Sequence, residues 1–420
     1  MDILLLGSGG REHALARAMV EGTNVNLFVA PGNAGMKTLG ERVDLNPNDP
    51  EAVSAWAKDR GVDMVVIGPE APLVAGVADA VREAGIPVFG PDQNAAMLEG
   101  SKAFAKDVME AAGVSTAAAY ACTSVEEARE ALARFEPPYV VKNDGLAAGK
   151  GVIVTSDLEA AIAHAESCVA AEGGAVLVEE YMGGPEVSLF CVTDGKSVVP
   201  LLPAQDFKRA LDNDEGPNTG GMGAYCPLPW LPEGFVEEVV ENVAQPVVDE
   251  MARRGTPFVG LLYCGLVVTT SGVRVIEFNA RFGDPETQVV LPLLKTPLAD
   301  LLYAAATGTL ADFPQLEWSD SASVGVVVSS ENYPATPVLG DLIEGVEEAE
   351  AGEQTRVYIA GAKDSEEGLV TSGGRVLLVN ALGASLQEAQ ARAYEGVAKI
   401  RIRGSHFRTD IAARAVAGEL

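Results

Sequence analysis

Four short apolar runs in the first hundred residues, Ile3–Leu6, Leu27–Val29, Met64–Ile67 and Pro87–Phe89, each end in a turn built on glycine or proline. The turns are Gly7-Ser8-Gly9-Gly10, Pro31-Gly32-Asn33, Gly68-Pro69-Glu70 and Gly90-Pro91. Between the runs, Arg11–Val20, Glu51–Arg60 and Leu73–Ala84 carry helical spacing. Strand, turn and helix repeated in this order demand a doubly wound parallel sheet. In such sheets, ligands gather beyond the carboxyl ends of the strands.

The remaining chain reads differently. From Ser101 to about 295, a helix (Lys102–Ala112) precedes strands and helices mixed around glycine-rich loops. Tyr139–Lys142 and Val152–Thr155 read as strands on either side of Asp144–Gly151, and Val176–Glu180 as a further strand. Val236–Arg254 has helical spacing, and Leu266–Thr269 with Val273–Phe278 reads as a hairpin about Ser271-Gly272. From about 320, Ala322–Ser329, Val357–Ala360 and Arg375–Val379 read as strands and Leu386–Ile400 as a helix. The expected fold class is multidomain α/β and α+β, with domains at 1–100, 101–295 and 320–420.

Charge narrows the partners. Asp and Glu number 60 against 30 Lys and Arg, a formal net charge of −30. Such a surface repels nucleic acid phosphates and anionic lipid, so neither is an expected partner. Lys102, Lys106, Lys142, Lys150 and Lys208 nevertheless fall in one stretch of this acidic chain, which suggests an anionic ligand. The five cysteines are scattered, with no C-x-x-C pair, as expected for reduced thiols in the cytoplasm. No run reaches the roughly 20 apolar residues of a membrane helix.

The chemistry-bearing segments follow. Gly7-x-Gly9-Gly10 invites a dinucleotide reading, but Glu12 stands where the third glycine belongs, and the second strand ends in Val29-Ala30-Pro31 rather than an acid. A phosphate on the free N–H groups of this turn remains open, as does a merely tight turn. Lys142–Gly151 offers two lysines and an Ala/Gly loop able to close over a polyphosphate, or else a solvated hairpin tip. In Glu277-Phe278-Asn279-Ala280-Arg281, strand alternation puts Glu277 and Asn279 on one face and Phe278 in the core. Two adjacent oxygen ligands suit Mg²⁺, and Arg281 offers a planar fork for carboxylate or phosphate. Gly216–Gly223 is too rich in glycine for a helix or a central strand and is expected to be a loop ordered by ligand.

Together these segments closely resemble the phosphoribosylamine–glycine ligases (glycinamide ribonucleotide synthetases), enzymes of the ATP-grasp type. The resemblance rests on GSGGREHALA at 7–16, APGNAG at 30–35, GPEAPLVAGV at 68–77, EGSKAFAKD at 99–107 and DGLAAGKGV at 144–152. It continues in GPNTGGMGAY at 216–225, VIEFNARFGDPETQ at 275–288 and GGRVL at 373–377. It implies an N-terminal doubly wound domain, a central ATP-grasp domain and a C-terminal α+β domain. It further implies ATP-dependent ligation of glycine to 5-phosphoribosylamine through glycyl phosphate, in purine biosynthesis, by a monomer or alternatively a dimer. Lys102 and Lys142 would hold the ATP phosphates, with Gly145, Gly149, Lys150 and Gly151 in the loop that closes over them. Glu179 would lie at the adenine edge, Glu186 at the ribose, and Glu277 and Asn279 on Mg²⁺ or Mn²⁺. Asp206 would pair the glycine ammonium and Arg281 orient its carboxylate, while Gly9, Gly10 and Glu70 would face the phosphoribosyl group.

Some positions depart from the family pattern. Phe207 stands where histidine is usual, Asn332-Tyr333-Pro334 replaces G-Y-P, Leu339-Gly340 replaces K-G, and Ile359 replaces a histidine. The rival readings are another ATP-grasp ligase with a different acceptor, an NAD-binding oxidoreductase, and a nucleotide sensor without turnover.

Overall fold

The computed structural model describes residues 1–145, 151–170, 174–352 and 354–420. The opening strands are β1 (Asp2–Gly7), β2 (Asn26–Pro31), β3 (Glu41–Arg42), β4 (Met64–Ile67) and β5 (Val88–Phe89). They form one parallel sheet in the order β3-β2-β1-β4-β5. Ile3, Leu4, Leu5 and Leu6 are all fully buried, so both faces of β1 are covered, as a doubly wound sheet requires. The helices Gly10–Val20 and Pro50–Arg60 form as their spacing predicts. The helix expected over Leu73–Ala84 does not form as one piece. Gly76, with φ of +82°, breaks it into Glu70–Val74 and Val77–Glu83, which places Glu70 at a helix start beside the strand ends.

A small antiparallel sheet follows, from β6 (Ala119–Cys122), β7 (Tyr139–Asn143), β8 (Val152–Thr155) and β9 (Val176–Glu179), in the order β6-β9-β7-β8. Next come β10 (Glu186–Asp194), β11 (Val198–Pro200), the short β12 (Gln205–Asp206), the hairpin β13 (Arg209–Leu211) and β14 (Glu215–Asn218), and β15 (Gly223–Cys226). A helical rod over Phe235–Arg253, with one π turn at Val240–Ala244, leads into β16 (Val259–Thr269) and β17 (Gly272–Asn279). Strands β10, β11, β16 and β17 make a second antiparallel sheet, in the order β11-β10-β16-β17.

The last third supplies β18 (Ala322–Ser329), β19 (Thr355–Ile359), the hairpin β20 (Ala362–Ser365) and β21 (Gly368–Thr371), and β22 (Arg375–Gly383). Its main sheet runs β12-β15-β18-β22-β19, so it takes in two strands from the middle of the chain. The loop expected over Gly216–Gly223 is therefore corrected. Gly216–Asn218 belongs to β14, and Gly223 opens β15, an interior strand paired with β12 and β18. Glycine is admitted in the strand because the approach is close. A Cβ on Gly223 would lie 2.6 Å from the Gly325 carbonyl oxygen and 2.8 Å from Ile411 Cδ1.

The first and last sheets meet through His13. The Ile359 N–H donates to His13 Nδ1 at 2.9 Å, the Asn33 amide donates to the Ile359 carbonyl at 2.7 Å, and Tyr358 packs edge-on against the imidazole. Ile359 makes these hydrogen bonds through its backbone while its side chain packs in the core, which explains why a hydrocarbon side chain serves where the family usually has histidine. Asn332 is explained similarly. It holds φ of +71°, a conformation glycine adopts freely and asparagine tolerates. Burial, aided by Arg17, pushes the His13 pKa down to about 3. The unfolded chain binds a proton near the ordinary histidine value while the folded chain does not, so stability falls as pH drops below that value. Between pH 7 and pH 5.5 the loss from this group should be about 1 kcal/mol. Urea unfolding of the parent and of His13→Asn across that range checks it; equal slopes would contradict the assignment.

Candidate active site

The carboxyl ends of the strands in the first sheet face the central sheets across a cleft of about 1120 Å³, more than one small substrate fills. The cleft gathers nearly all the residues singled out in the sequence. Lys102, Lys142, Gly145, Gly151, Glu179 and Glu186 line it, as do Glu70, Asp206, Glu277, Asn279 and Arg281. Gly149 and Lys150 lie outside the described residues.

Gly9 and Gly10 are not among the lining residues, and their turn is not a free anion cradle. The Glu12 carboxylate accepts from the Gly9 N–H at 2.6 Å, and Asp284 accepts from the Arg11 N–H at 3.2 Å. Glu12, buried where a dinucleotide fold needs glycine, also takes the Arg11 side chain at 2.6 Å. The nearby basic groups reaching the cleft are Arg11 and Arg375. Arg375 pairs with Asp284 at 3.1 Å and donates to the carbonyls of Gly220 and Asp284.

On one wall, two lysines share a carboxylate. Lys142 on β7 lies 2.6 Å from one oxygen of Glu179, and Lys106 lies 3.1 Å from the other. Lys106 also donates to the Thr116 hydroxyl and the Ala117 carbonyl, both at 2.9 Å. The Glu179 side chain is thus taken up by lysines, and what this strand end can still offer a ligand is backbone. Lys106 belongs to the lysine stretch singled out in the sequence, and its i+4 spacing from Lys102 puts both on one helix face. Lys102 donates to the carbonyls of Asn143 and Gly145 at 2.9 Å, tying the helix start to the root of the glycine-rich loop. Burial depresses its pKa, and the neighbouring Lys142 adds to this.

The metal-ligand candidates depend on a bulge. Gly265 pairs with Glu277 and Leu266 with Val275, so Ile276 is the extra residue on β17. Without it, Glu277 would share the face of Val275, which is fully buried. The bulge reverses the alternation, sending Phe278 into the core and Glu277 with Asn279 to the cleft. Its carbonyl receives the Lys142 ammonium at 3.4 Å. Burial opposes the Glu277 charge, yet Lys208, Lys142, Lys102 and Arg281 hold its pKa below the ordinary value. Among the described residues no three His, Cys, Asp or Glu side chains converge on one point, so a divalent ion on Glu277 and Asn279 would need ligand oxygens and water. That suits Mg²⁺, which binds through few protein groups.

Arg281 is held by Glu99 at 2.8 Å and Glu70 at 3.4 Å, both contributed by the first hundred residues. Burial opposes its charge, but these two carboxylates raise its pKa. Opposite, Asp206 and Lys208 share one face of their short extended segment. Between them Phe207 turns to the Arg408 guanidinium, 4.9 Å above its ring, a role for which an apolar aromatic serves well. Lys208 pairs with Glu186 and lies 3.9 Å from Asp206, so the Glu186 carboxylate is engaged as well. Burial pushes the Asp206 pKa up to about 7, with Glu286 and Glu186 adding to the effect.

Known proteins resemble this chain over its whole length. The family descriptions that match are phosphoribosylglycinamide synthetase N domain over residues 1–99, ATP-grasp (A) domain over 100–287 and C domain over 323–414. A phosphoribosylamine–glycine ligase of Streptomyces coelicolor is 62% identical over 418 residues, covering 99% of each chain. One from Mycobacterium tuberculosis is 55% identical over 427 residues, covering all of both. The crystal structure of a phosphoribosylamine–glycine ligase from Thermotoga maritima matches with a TM-score of 0.86 at 32% identity, covering 98% of this chain and 100% of that one.

The shared carboxylate yields a stability test. Glu179→Gln leaves two buried ammonium groups without their counter-ion and should cost about 2–4 kcal/mol in urea unfolding. Glu186→Gln, at an exposed pair, should cost less than about 1 kcal/mol. Equal effects would show that Glu179 is not the buried anchor described.

Proposed function

The chain belongs to the phosphoribosylglycinamide synthetase family, and on that footing we propose how its cleft is divided among ATP, glycine and 5-phosphoribosylamine. The enzyme is an ATP-dependent carbon–nitrogen ligase that joins glycine to 5-phosphoribosylamine, giving glycinamide ribonucleotide in purine biosynthesis. One observation carries the division. Lys102, Lys142, Asp206 and the run Glu277–Arg281, which carries Asn279, are four segments well separated in sequence, and they line a single cleft.

The triphosphate lies against Lys102 and Lys142, beside Gly145 and Gly151. Adenine takes the backbone at the end of β9, and the ribose lies toward Glu186, whose pair with Lys208 is exposed and readily exchanged. Glu277 and Asn279 hold Mg²⁺ or Mn²⁺, which when bound neutralises charge on the phosphate oxygens. Asp206 accepts the glycine ammonium. Arg281 turns part of its guanidinium, which has five N–H donors, to the glycine carboxylate. The phosphoribosyl group lies toward Glu70, where Arg11 and Arg375 supply positive charge.

A carboxylate is a poor acylating agent, so activation comes first. A glycine carboxylate oxygen attacks the γ-phosphorus of ATP, the bond to the β–γ bridging oxygen breaks, and ADP leaves. The phosphoribosylamine nitrogen then attacks the glycyl carbonyl carbon, phosphate departs, and the nitrogen loses a proton as the amide forms. The lysines and the arginine position the reactants and offset their charge. Acyl phosphates hydrolyse readily, so excluding water from the cleft has a chemical purpose.

Five buried, unpaired cysteines suit a reducing compartment, so we place the enzyme in the cytoplasm, acting as a monomer or a dimer without nucleic acid or membrane partners. No helix among the described residues is long and apolar enough to cross a membrane. ADP release should require glycine and freshly made phosphoribosylamine together, and fall to background when either is omitted. Glu277→Ala should abolish turnover while retaining the parent's unfolding midpoint. ADP release independent of glycine, or near-normal turnover in the variant, would contradict this reading.

A further inference from the structure

Beside Asp206 lies a second carboxylate with an unusual environment. Glu286, in the loop after β17, is 3% exposed and lines the cleft. Its Oε1 accepts from the Tyr263 hydroxyl at 2.5 Å and from the Ser188 hydroxyl at 3.0 Å, and those hydroxyls lie 2.7 Å apart. Its Oε2 takes no hydrogen bond among the described residues. Ser188 is on β10 and Tyr263 on β16, neighbouring strands of one sheet, so two interior strands fix a single carboxylate oxygen and leave the other unused. Burial raises the Tyr263 pKa well above the ordinary value, so the phenol stays protonated and remains a donor.

The local charge does not balance. Glu286 adds its negative charge to that felt by Asp206, and the cation beside Asp206 is Lys208, 3.9 Å away, which already bonds Glu186. A buried carboxylate without a counter-ion is costly, and two of them facing one space favour a cationic ligand. A primary ammonium answers this, because its donors can divide between two carboxylates. A metal ion fits less well, since no third acidic, histidine or cysteine ligand among the described residues completes the set.

We infer that Glu286 is a second substrate-binding carboxylate, whose Oε2 shares the glycine ammonium with Asp206, and that Tyr263 and Ser188 are positioning residues that hold it. The inference rests on the assignment of the Asp206 side of the cleft to glycine. Two carboxylates converging on one small ammonium would select a primary amino acid, and fixing Glu286 through Oε1 aims the other oxygen without a rotamer search.

The test measures KM for glycine and for ATP in Asp206→Asn, Glu286→Gln and Tyr263→Phe, with MgADP thermal stabilisation as a glycine-independent readout. Glu286→Gln keeps the shape and the acceptor for Tyr263 but removes the charge. It should raise the glycine KM about 10- to 100-fold, with the ATP KM and MgADP stabilisation within about twofold of the parent. Tyr263→Phe should raise the glycine KM about three- to tenfold with the same split, and carries the test alone if Glu286→Gln fails to fold. An unchanged glycine KM in Asp206→Asn would overturn the assignment of the pocket itself. A raised KM in Asp206→Asn with unchanged values in the other two would overturn only the role of Glu286. An ATP KM rising in step with the glycine KM would mark Glu286 as part of the nucleotide or metal site, and would overturn it too.

Discussion

Collecting positive charge in a half-buried cleft is possible here because each cation is met by a carboxylate from another part of the chain. Lys142 and Lys106 share Glu179, Arg281 sits between Glu99 and Glu70, Lys208 pairs with Glu186, and Arg375 with Asp284. A lone ammonium or guanidinium would shed charge or turn to solvent. Paired, it stays charged and fixed while keeping donors for an anionic ligand. These pairs also join separate elements. Arg281 follows β17, whereas Glu70 and Glu99 come from the first hundred residues, so the ion pair that orients the arginine also binds the two sides of the cleft.

The sheets divide the chemistry in the same way. Lys142 and Glu277 come from the two central antiparallel sheets, and the bulge at Ile276 turns Glu277 outward. Asp206 sits on β12, which belongs to the sheet of the last third. The proposed triphosphate and glycine sites therefore share the sheet that carries β17, while Lys142 and Asp206 reach them from two further sheets, and their spacing depends on how those sheets pack. Arg408 contributes from the C-terminal side. It is fully buried, bonds Asp214 and Asp410 at 2.8 and 2.7 Å, and stacks on Phe207, which holds the extended run carrying Asp206 and Lys208.

Local patterns revealed much of this fold. Parallel β1, β2 and β4, the helix at Lys102–Ala112 and strand β18 follow from apolar runs, turn residues and caps that need no distant partner. The misread segments depend on contacts far away in sequence. Gly223 reads as loop until Gly325 and Ile411 are known to crowd it, and the break at Gly76 is one glycine within an otherwise helical pattern. At the site, chemistry was more legible than pairing. Motifs singled out Glu277, Asn279 and Lys142, and the family resemblance Asp206, and all four line the cleft. That Glu179 is occupied by lysines, that Glu12 and Asp284 take the donors of the first turn, and that Glu286 is fixed by Tyr263 and Ser188 are tertiary facts. They join residues up to 273 positions apart, and no spacing rule encodes them.

In the proposed division of the cleft, cations from separate segments surround one triphosphate. A crystal structure with a non-hydrolysable ATP analogue and Mg²⁺ tests it most directly. The β- and γ-phosphate oxygens should then lie within hydrogen-bonding distance of Lys102 and Lys142, with the metal on Glu277 and Asn279. A triphosphate seated instead on the Gly9-Gly10 turn, with Lys142 still bound only to Glu179 and the Ile276 carbonyl, would contradict it.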